Sequence, residues 1–321
     1  MHTVSGRWKL GLILSLTTAV LWGLLPIALK GLLQQMDAVT VTWYRFLSAA
    51  LILFIFLLSR GGLPDWRQLK GSVGLLMLIA ILGLAANYVF YLFGVELITP
   101  SSAQVMIQTA PMLMLIGSLI IFKEQFNRWQ WLGFATFVVG LILFFNLRFG
   151  EIFAELGTYS IGLIWIFIAA VVWAAYALAQ KQLLNNFSSN QIMFVIYLAC
   201  VPLLAPWTEV SQIENLNGLG WFLLIFCCLN TLVAYGAFAE ALAHWEASRV
   251  SAVLAITPLL TIFFMKWLES LYPNYLNSEP VNSLSLIGAA MVVCGSAITA
   301  LAGRKKKVTA QAPPIEPAKT T

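Results

Sequence analysis

Charge is what this 321-residue chain has least of: charged residues make up 10% of it and hydrophobic ones 60%, where soluble domains are roughly a quarter charged. That balance excludes a sizeable soluble domain. Histidine is limited to His2 and His244, with no H-E-x-x-H and no aspartate central to an apolar run. Hydrolysis or group transfer inside a bilayer therefore lacks its usual metal ligands and acid–base pair. The chain also has no G-x-x-x-x-G-K-[ST], which argues against ATP-driven transport by this chain alone. Its four cysteines, Cys200, Cys227, Cys228 and Cys294, show no C-x-x-C or Cys/His spacing, and they read as buried thiols rather than a metal or redox site. The reading is of a non-enzyme with no cofactor and no metal.

What the chain does have is hydrophobic length. Apolar stretches occupy 10–29, 39–58, 72–95, 103–122, 129–147, 161–180, 191–208, 218–243, 248–268 and 283–303. A hydrocarbon core about 30 Å thick needs about 20 helical residues, so the expected fold class is an all-α integral membrane protein with ten transmembrane helices. The first stretch follows Arg7 and Lys9 as a signal peptide's would. It is too long for an h-region and lacks a convincing A-x-A site, so it is expected to be a retained helix. The formal charge of +5 does not point to nucleic acid, because five of the cations lie in the Pro-containing tail 304–321, which reads as disordered.

Lysine and arginine sort strongly by side. Arg7, Lys9, Arg60, Arg67, Lys70, Lys123, Arg128, Lys181, Arg249 and the five tail cations fall on one side; only Lys30, Arg148 and Lys266 fall on the other, and Arg45 lies inside the second stretch. Cationic loops near helix ends resist translocation, so both termini are expected in the cytoplasm, in a bacterial inner membrane.

The chain also repeats itself. Ala19 to Leu33 aligns with Ala170 to Leu184 at seven of fifteen positions, Trp22 with Trp173 and Lys30 with Lys181 among them. Later, Glu124 followed by Gly133 and Gly140 is answered by Glu269 followed by Gly288 and Gly295, and Pro111 and Pro258 occupy the preceding stretch of each half. Two halves of five helices must enter the membrane in opposite senses, which is the inverted-repeat plan of many secondary transporters. The expected organisation is a cytoplasmic N-terminus 1–9, a first repeat 10–147, a linker 148–160, a second repeat 161–303 and a basic tail 304–321.

The Ala-Val-x-Trp start of each half, Arg45 early in the second stretch, and the Pro, Glu and Gly-x6-Gly series together resemble the drug/metabolite transporter superfamily, specifically its EamA-type ten-helix members. The resemblance spans 10–303. It implies export or permeation of amino acids, other metabolites, vitamins or drugs, through a central cavity among helices 1, 3, 4, 6, 8 and 9, with the fifth and tenth peripheral.

Polar groups inside apolar spans need partners, since unsatisfied ones cost several kcal/mol. Arg45 reads either as an anchor that snorkels toward the outer surface or as an attractor of anionic substrate or gating residue. Asn87 and Tyr91 share a helix face, with Tyr88 pointing elsewhere, and Asn230, Thr231 and Tyr235 occupy the similar stretch of the second half. Gln104 and Gln108 repeat the four-residue spacing ahead of Pro111. These positions, with Trp22, Trp173 and Tyr176, are the substrate-binding candidates; tying helices together is the alternative for the asparagines, and core packing for the tryptophans. Pro111 and Pro258 free the carbonyls of Ile107 and Leu254 and are hinge candidates. Glu240 and His244 are the weak candidates for proton coupling. The function expected is a secondary transporter, foremost an exporter of amino acids or related amphipathic metabolites. Uptake of a vitamin-like or nucleoside-like solute, or a non-transporting receptor or scaffold, competes with it. The expected partners are a small-molecule substrate and the bilayer, with no nucleic acid and no obligatory protein partner.

Overall fold

The computed structural model describes residues 7–121, 123, 127–154, 157–273, 275–277 and 279–302. Glu124, His2 with the rest of the first six residues, and the tail from 303 onward lie outside the described residues. The helices are α1 Trp8–Leu32, α2 Ala38–Ser59, α3 Gly71–Leu97, α4 Pro100–Met106, α5 Thr109–Ile121, α6 Arg128–Phe144, α7 Phe149–Ala154, α8 Thr158–Leu183, α9 Ser189–Leu204, α10 Gly218–His244, α11 Ala247–Leu254, α12 Thr257–Leu271 and α13 Ser283–Leu301. The described residues contain no strand. Among the described residues nine spans are long and apolar enough to cross a bilayer, with α4–α5 and α11–α12 each forming one span. They become ten when α6 is joined to 146–152, bent from it by 49°. Large apolar side chains such as Ile13, Ile55, Leu75, Ile142 and Ile287 point outward from the bundle, as a surface in contact with acyl chains requires.

Short polar caps begin most spans. The Asp37 carboxylate accepts from the amides of Val39 and Thr40 at 2.9 and 3.0 Å. Asn127 with Gln130, and Ser188 with Gln191, form capping boxes. The fourth and ninth spans are broken rather than continuous. The break at Ile107 and Gln108 lies three residues before Pro111, and that at Ala255 and Ile256 lies two residues before Pro258. Proline removes an amide donor and crowds the carbonyl four residues back, so the sequence places both interruptions.

The packing respects an exchange of halves. Helix α3 runs along α8 as α10 runs along α1; α5 packs on α8 as α12 packs on α1; α2 meets α9, and α6 meets α13. The last pair explains the glycine spacing. A Cβ on Gly133 would lie 2.8 Å from the Gly295 carbonyl oxygen, and one on Gly295 2.6 Å from that of Gly133. Gly140 and Gly288 repeat the contact at 2.8 and 2.7 Å. Backbones this close leave no room for any side chain, which is why small residues line such helix interfaces.

The buried core divides in two. One cluster, at the end of the bundle where α4 and α8 begin, draws residues from both halves, including Leu29, Val41, Leu92, Ala103, Phe144, Ile166, Leu224 and Ile262. The other, toward the opposite end, is built from α2, α3, α8 and α9 with the loop residue Phe187. The cysteines depart from expectation at one position. Cys200 and Cys227 are buried and Cys228 is half-buried, but Cys294 is exposed on the flank of α13.

Candidate functional site

Arg45 lies about two turns into α2 and is only 3% exposed, which corrects the expectation of a residue snorkelling to the surface. About two turns beyond the Asp37 cap, the guanidinium enters the bundle and meets α10 and α3. Its Nε donates to Thr231 Oγ1 on α10 at 3.1 Å, and its charged carbon stands 4.5 Å over the Tyr88 ring. No carboxylate of the described residues pairs with it. Tyr88 itself packs on Phe46, whose ring is stacked against Tyr197 at 5.3 Å. Tyr91 follows Tyr88 by three residues on α3 and Tyr235 follows Thr231 by four on α10, which puts each on the adjoining surface of its helix. Tyr88 thus faces Arg45 on α2, away from the α8 and α4 partners of Asn87 and Tyr91.

The asparagines face helix partners. Asn87 on α3 donates to the Ala169 carbonyl of α8 at 2.9 Å, and Asn230 on α10 donates to the Leu21 carbonyl of α1 at 2.7 Å. Each side-chain amide bridges the two halves at a corresponding place, the tying role weighed against substrate contact. Tyr91 donates to Gln104 Oε1 at 3.3 Å, joining α3 to α4. Gln108 sits in the first break and donates to the Ala255 carbonyl in the second, at 3.4 Å. The two interruptions therefore touch. Their freed carbonyls are satisfied locally: that of Ile107 accepts from the Ala110 amide at 2.9 Å, and that of Leu254 accepts from the Thr257 hydroxyl. A ligand role for those carbonyls has no support in this arrangement, whereas the breaks at Pro111 and Pro258 are present as hinges require.

Trp22 packs against Tyr235, with ring centroids 5.4 Å apart, and against Phe238 at 5.8 Å. Trp173 meets Tyr176 of its own helix at 6.4 Å, and the Tyr176 hydroxyl contacts the Met193 sulfur at 3.2 Å. The two tryptophans are not in ring contact with each other. His244 Nε2 and Glu240 Oε1 pair at 3.0 Å near the end of α10, with Glu240 62% exposed.

A second polar cluster occupies the end of the bundle where α4 begins. The carboxylate of Glu279, 4% exposed, accepts from the hydroxyls of Thr99 and Ser102 and from Arg148 Nε at 2.8 Å. Arg148 also reaches Glu151 at 2.6 Å and lies 4.7 Å from the Tyr159 ring centroid. Thr99 is at the same time the N-cap of α4, its hydroxyl accepting from the Ser102 amide. Nearby, Lys30 Nζ donates to the carbonyls of Val95 and Glu96 at 2.8 and 2.6 Å. The linker between α12 and α13 therefore holds down the start of α4 through a buried charge. Opposite charges so placed are costly to separate, because removal of one partner leaves the other buried and unpaired.

The EamA-like transporter family matches residues 9–146 and again 160–301. The chain belongs to this family. An uncharacterized transporter of Haemophilus influenzae is 40% identical over 292 residues, covering 91% of this chain and 95% of that protein. The Escherichia coli inner membrane transporter YhbE is 38% identical, with 92% of each chain covered. A solved crystal structure superposes with a TM-score of 0.60 at 16% identity, covering 91% of this chain and 97% of that one, a likeness of fold. This EamA-like protein is accordingly a transporter and not an enzyme.

Three features of this EamA-like bundle escaped sequence reading. Glu279 belongs to the loop segment ahead of α13 and has no spacing that ties it to Thr99, Ser102 or Arg148, which come from other loops and helix starts. Tyr197 lies in an apolar run on α9 and is recognisable only once α2 and α3 are packed beside it. Tyr88 carried a signal, since it is three residues from Tyr91 and therefore on an adjoining part of the same helix surface.

Proposed function

We propose that this transporter moves a small amphipathic metabolite, foremost an amino acid, out of the cell by alternating access in the inner membrane, with both termini cytoplasmic. The observation that carries this reading is a break in symmetry. The halves pack as exchangeable copies, yet the equivalent short helices α4 and α11 differ: residues 100–105 of α4 are all buried, whereas Arg249 and Ser251 of α11 are exposed. Exchanging those two environments would close one end and open the other with little change elsewhere. The cation distribution puts α4 at the outer end, so the conformation described is closed outside. The inner-membrane assignment is supported by the kinship with YhbE.

Aromatic walls from Trp22, Tyr88, Tyr91 and Tyr235, with Gln104 and Thr231 as polar contacts, suit a solute with an apolar body and a polar head. Exchange driven by the solute's own gradient is preferred to proton coupling, because Glu240 and His244 lie at a helix end and no acid stands beside Arg45 among the described residues. The test is counterflow in proteoliposomes preloaded with unlabelled solutes at equal pH on both sides. Accumulation of a labelled amino acid driven only by its unlabelled counterpart is expected. Counterflow of nucleoside-like or vitamin-like solutes alone would transfer the assignment to the competing class, and folded protein without counterflow of any solute would remove the carrier reading.

A further inference from the structure

Arg45 is a buried cation with which no carboxylate of the described residues pairs. The guanidinium has five N–H donors in a rigid planar fork. Of these, Nε is engaged by Thr231 Oγ1, and the terminal nitrogens donate to no acceptor among the described residues. The Tyr88 ring supplies a cation–π contact, which offsets only a small part of the cost of desolvating a charge. The neighbouring polar atoms are likewise incomplete. The Tyr197 hydroxyl, on a residue 1% exposed, and Asn230 Oδ1, on a residue 2% exposed, have no hydrogen-bond partner of normal geometry among the described residues. Tyr197 connects to Arg45 through Phe46 and Tyr88, whereas Asn230 turns its amide toward α1.

We infer that Arg45 is the binding point for the carboxylate of an organic solute with a single acidic group, whose body lies against Tyr88, Tyr91 and Tyr235. The inference deepens the transport reading and rests on it. A carboxylate matches the guanidinium fork in geometry and charge and forms short, charge-assisted hydrogen bonds. A phosphate dianion would call for a second cation. The other buried or half-buried cations are engaged in the polar cluster at the start of α4, Lys30 with the Val95 and Glu96 carbonyls and Arg148 with Glu279 and Glu151. Arg45 also bridges α2 of one half to α10 of the other, so an anion bound there touches both moving parts.

The test uses the purified full chain and two acid–amide pairs, phenylacetate with phenylacetamide and L-phenylalanine with L-phenylalaninamide. Thermal melting and equilibrium binding are measured for each. The acids are expected to raise the melting temperature and to bind at least about tenfold more tightly than their amides, the scale of one charge-assisted hydrogen-bonded pair. Arg45→Gln should bring the acids down to the level of the amides, and Arg45→Lys should keep the preference at reduced affinity. Amides that bind as well as acids, an acid preference that survives Arg45→Gln, or acids that neither bind nor stabilise the wild type would each overturn the inference. Should Arg45→Gln not fold, the wild-type comparison and Arg45→Lys decide. Counterflow with the same four solutes separates the two readings. Equal flux of acids and amides would refute the carboxylate site and leave the carrier standing, whereas acid-selective binding without counterflow would refute the carrier and leave the anion site.

Discussion

Helices α4 and α11 occupy the same place in the two halves, and the contrast between them says more about mechanism than either does alone. Each is a short helix followed by a break and a proline. The first is capped by Thr99, has Pro100 at its opening position and is buried along its length, with Glu279 bound to both Thr99 and Ser102. The second has Glu246 at its N-cap without a capping bond, and Glu246 pairs instead with the exposed Arg249 at 3.1 Å. The first helix is thus fixed by its own cap and by a carboxylate delivered from another loop. In a symmetric frame, a difference of surroundings between equivalent elements marks the part that changes partners.

The frame itself is the first thing to break. Gly140→Val is expected to produce the largest effect, because its added atoms collide with the Gly288 backbone. Overpacking costs about 1–3 kcal/mol where side chains can yield and more where backbone cannot, so a sharply lower melting temperature or loss of monodisperse protein should follow. Wild-type melting for this variant would remove the close contact from the account.

Releasing α4 should come next. Glu279→Gln removes the charge from a buried pair whose disruption costs about 3–5 kcal/mol, and it should shift the balance away from the conformation closed at that end. In a background without the four native cysteines, Ser101→Cys is expected to be protected from an impermeant maleimide and to become reactive when Glu279→Gln is added. Ser251→Cys should change in the opposite sense. Identical labelling of both positions in the two backgrounds would abolish the contrast between α4 and α11.

Smaller effects sharpen it. Gln108→Ala deletes the hydrogen bond between the two breaks, worth about 0.5–1.5 kcal/mol, and should alter counterflow rate several-fold with little change in melting. Smallest of all, Glu240→Gln should leave melting, downhill flux and the pH profile of transport unchanged, since exposed pairs contribute about 0–1 kcal/mol. Loss of pH-dependent transport with intact downhill flux would instead make the Glu240–His244 pair a proton-coupling element.

Much of the fold was written in local pattern. Span length follows from hydrocarbon thickness, both breaks follow from Pro111 and Pro258, and the glycine spacing in α6 and α13 marked the repeat, although the interface those glycines share emerged only from packing. The site was less legible. Arg45 was recognisable as unusual, but its depth depends on where α2 starts relative to its neighbours, and its contacts with Tyr88 and Thr231 join residues distant in sequence. The asparagines showed polarity without direction; whether an amide faces a solute or a neighbouring carbonyl is decided by helix rotation. Glu279 lay in a loop, where a carboxylate is ordinarily solvated, and only tertiary packing buries it.

The glycine contacts of α6 and α13 have a further consequence. Gly133 faces Gly295 and Gly140 faces Gly288, so corresponding residues of the two halves meet in opposite order, as in the isologous interface of a two-fold homodimer. Each half therefore presents the surface that its own copy would need, and the join between halves is self-complementary. A substitution on one side is met by the backbone of the other, so the two halves are constrained to change together along this seam, while α4 and α11, linked through Gln108 and Ala255 at the breaks that follow them, differ in their surroundings.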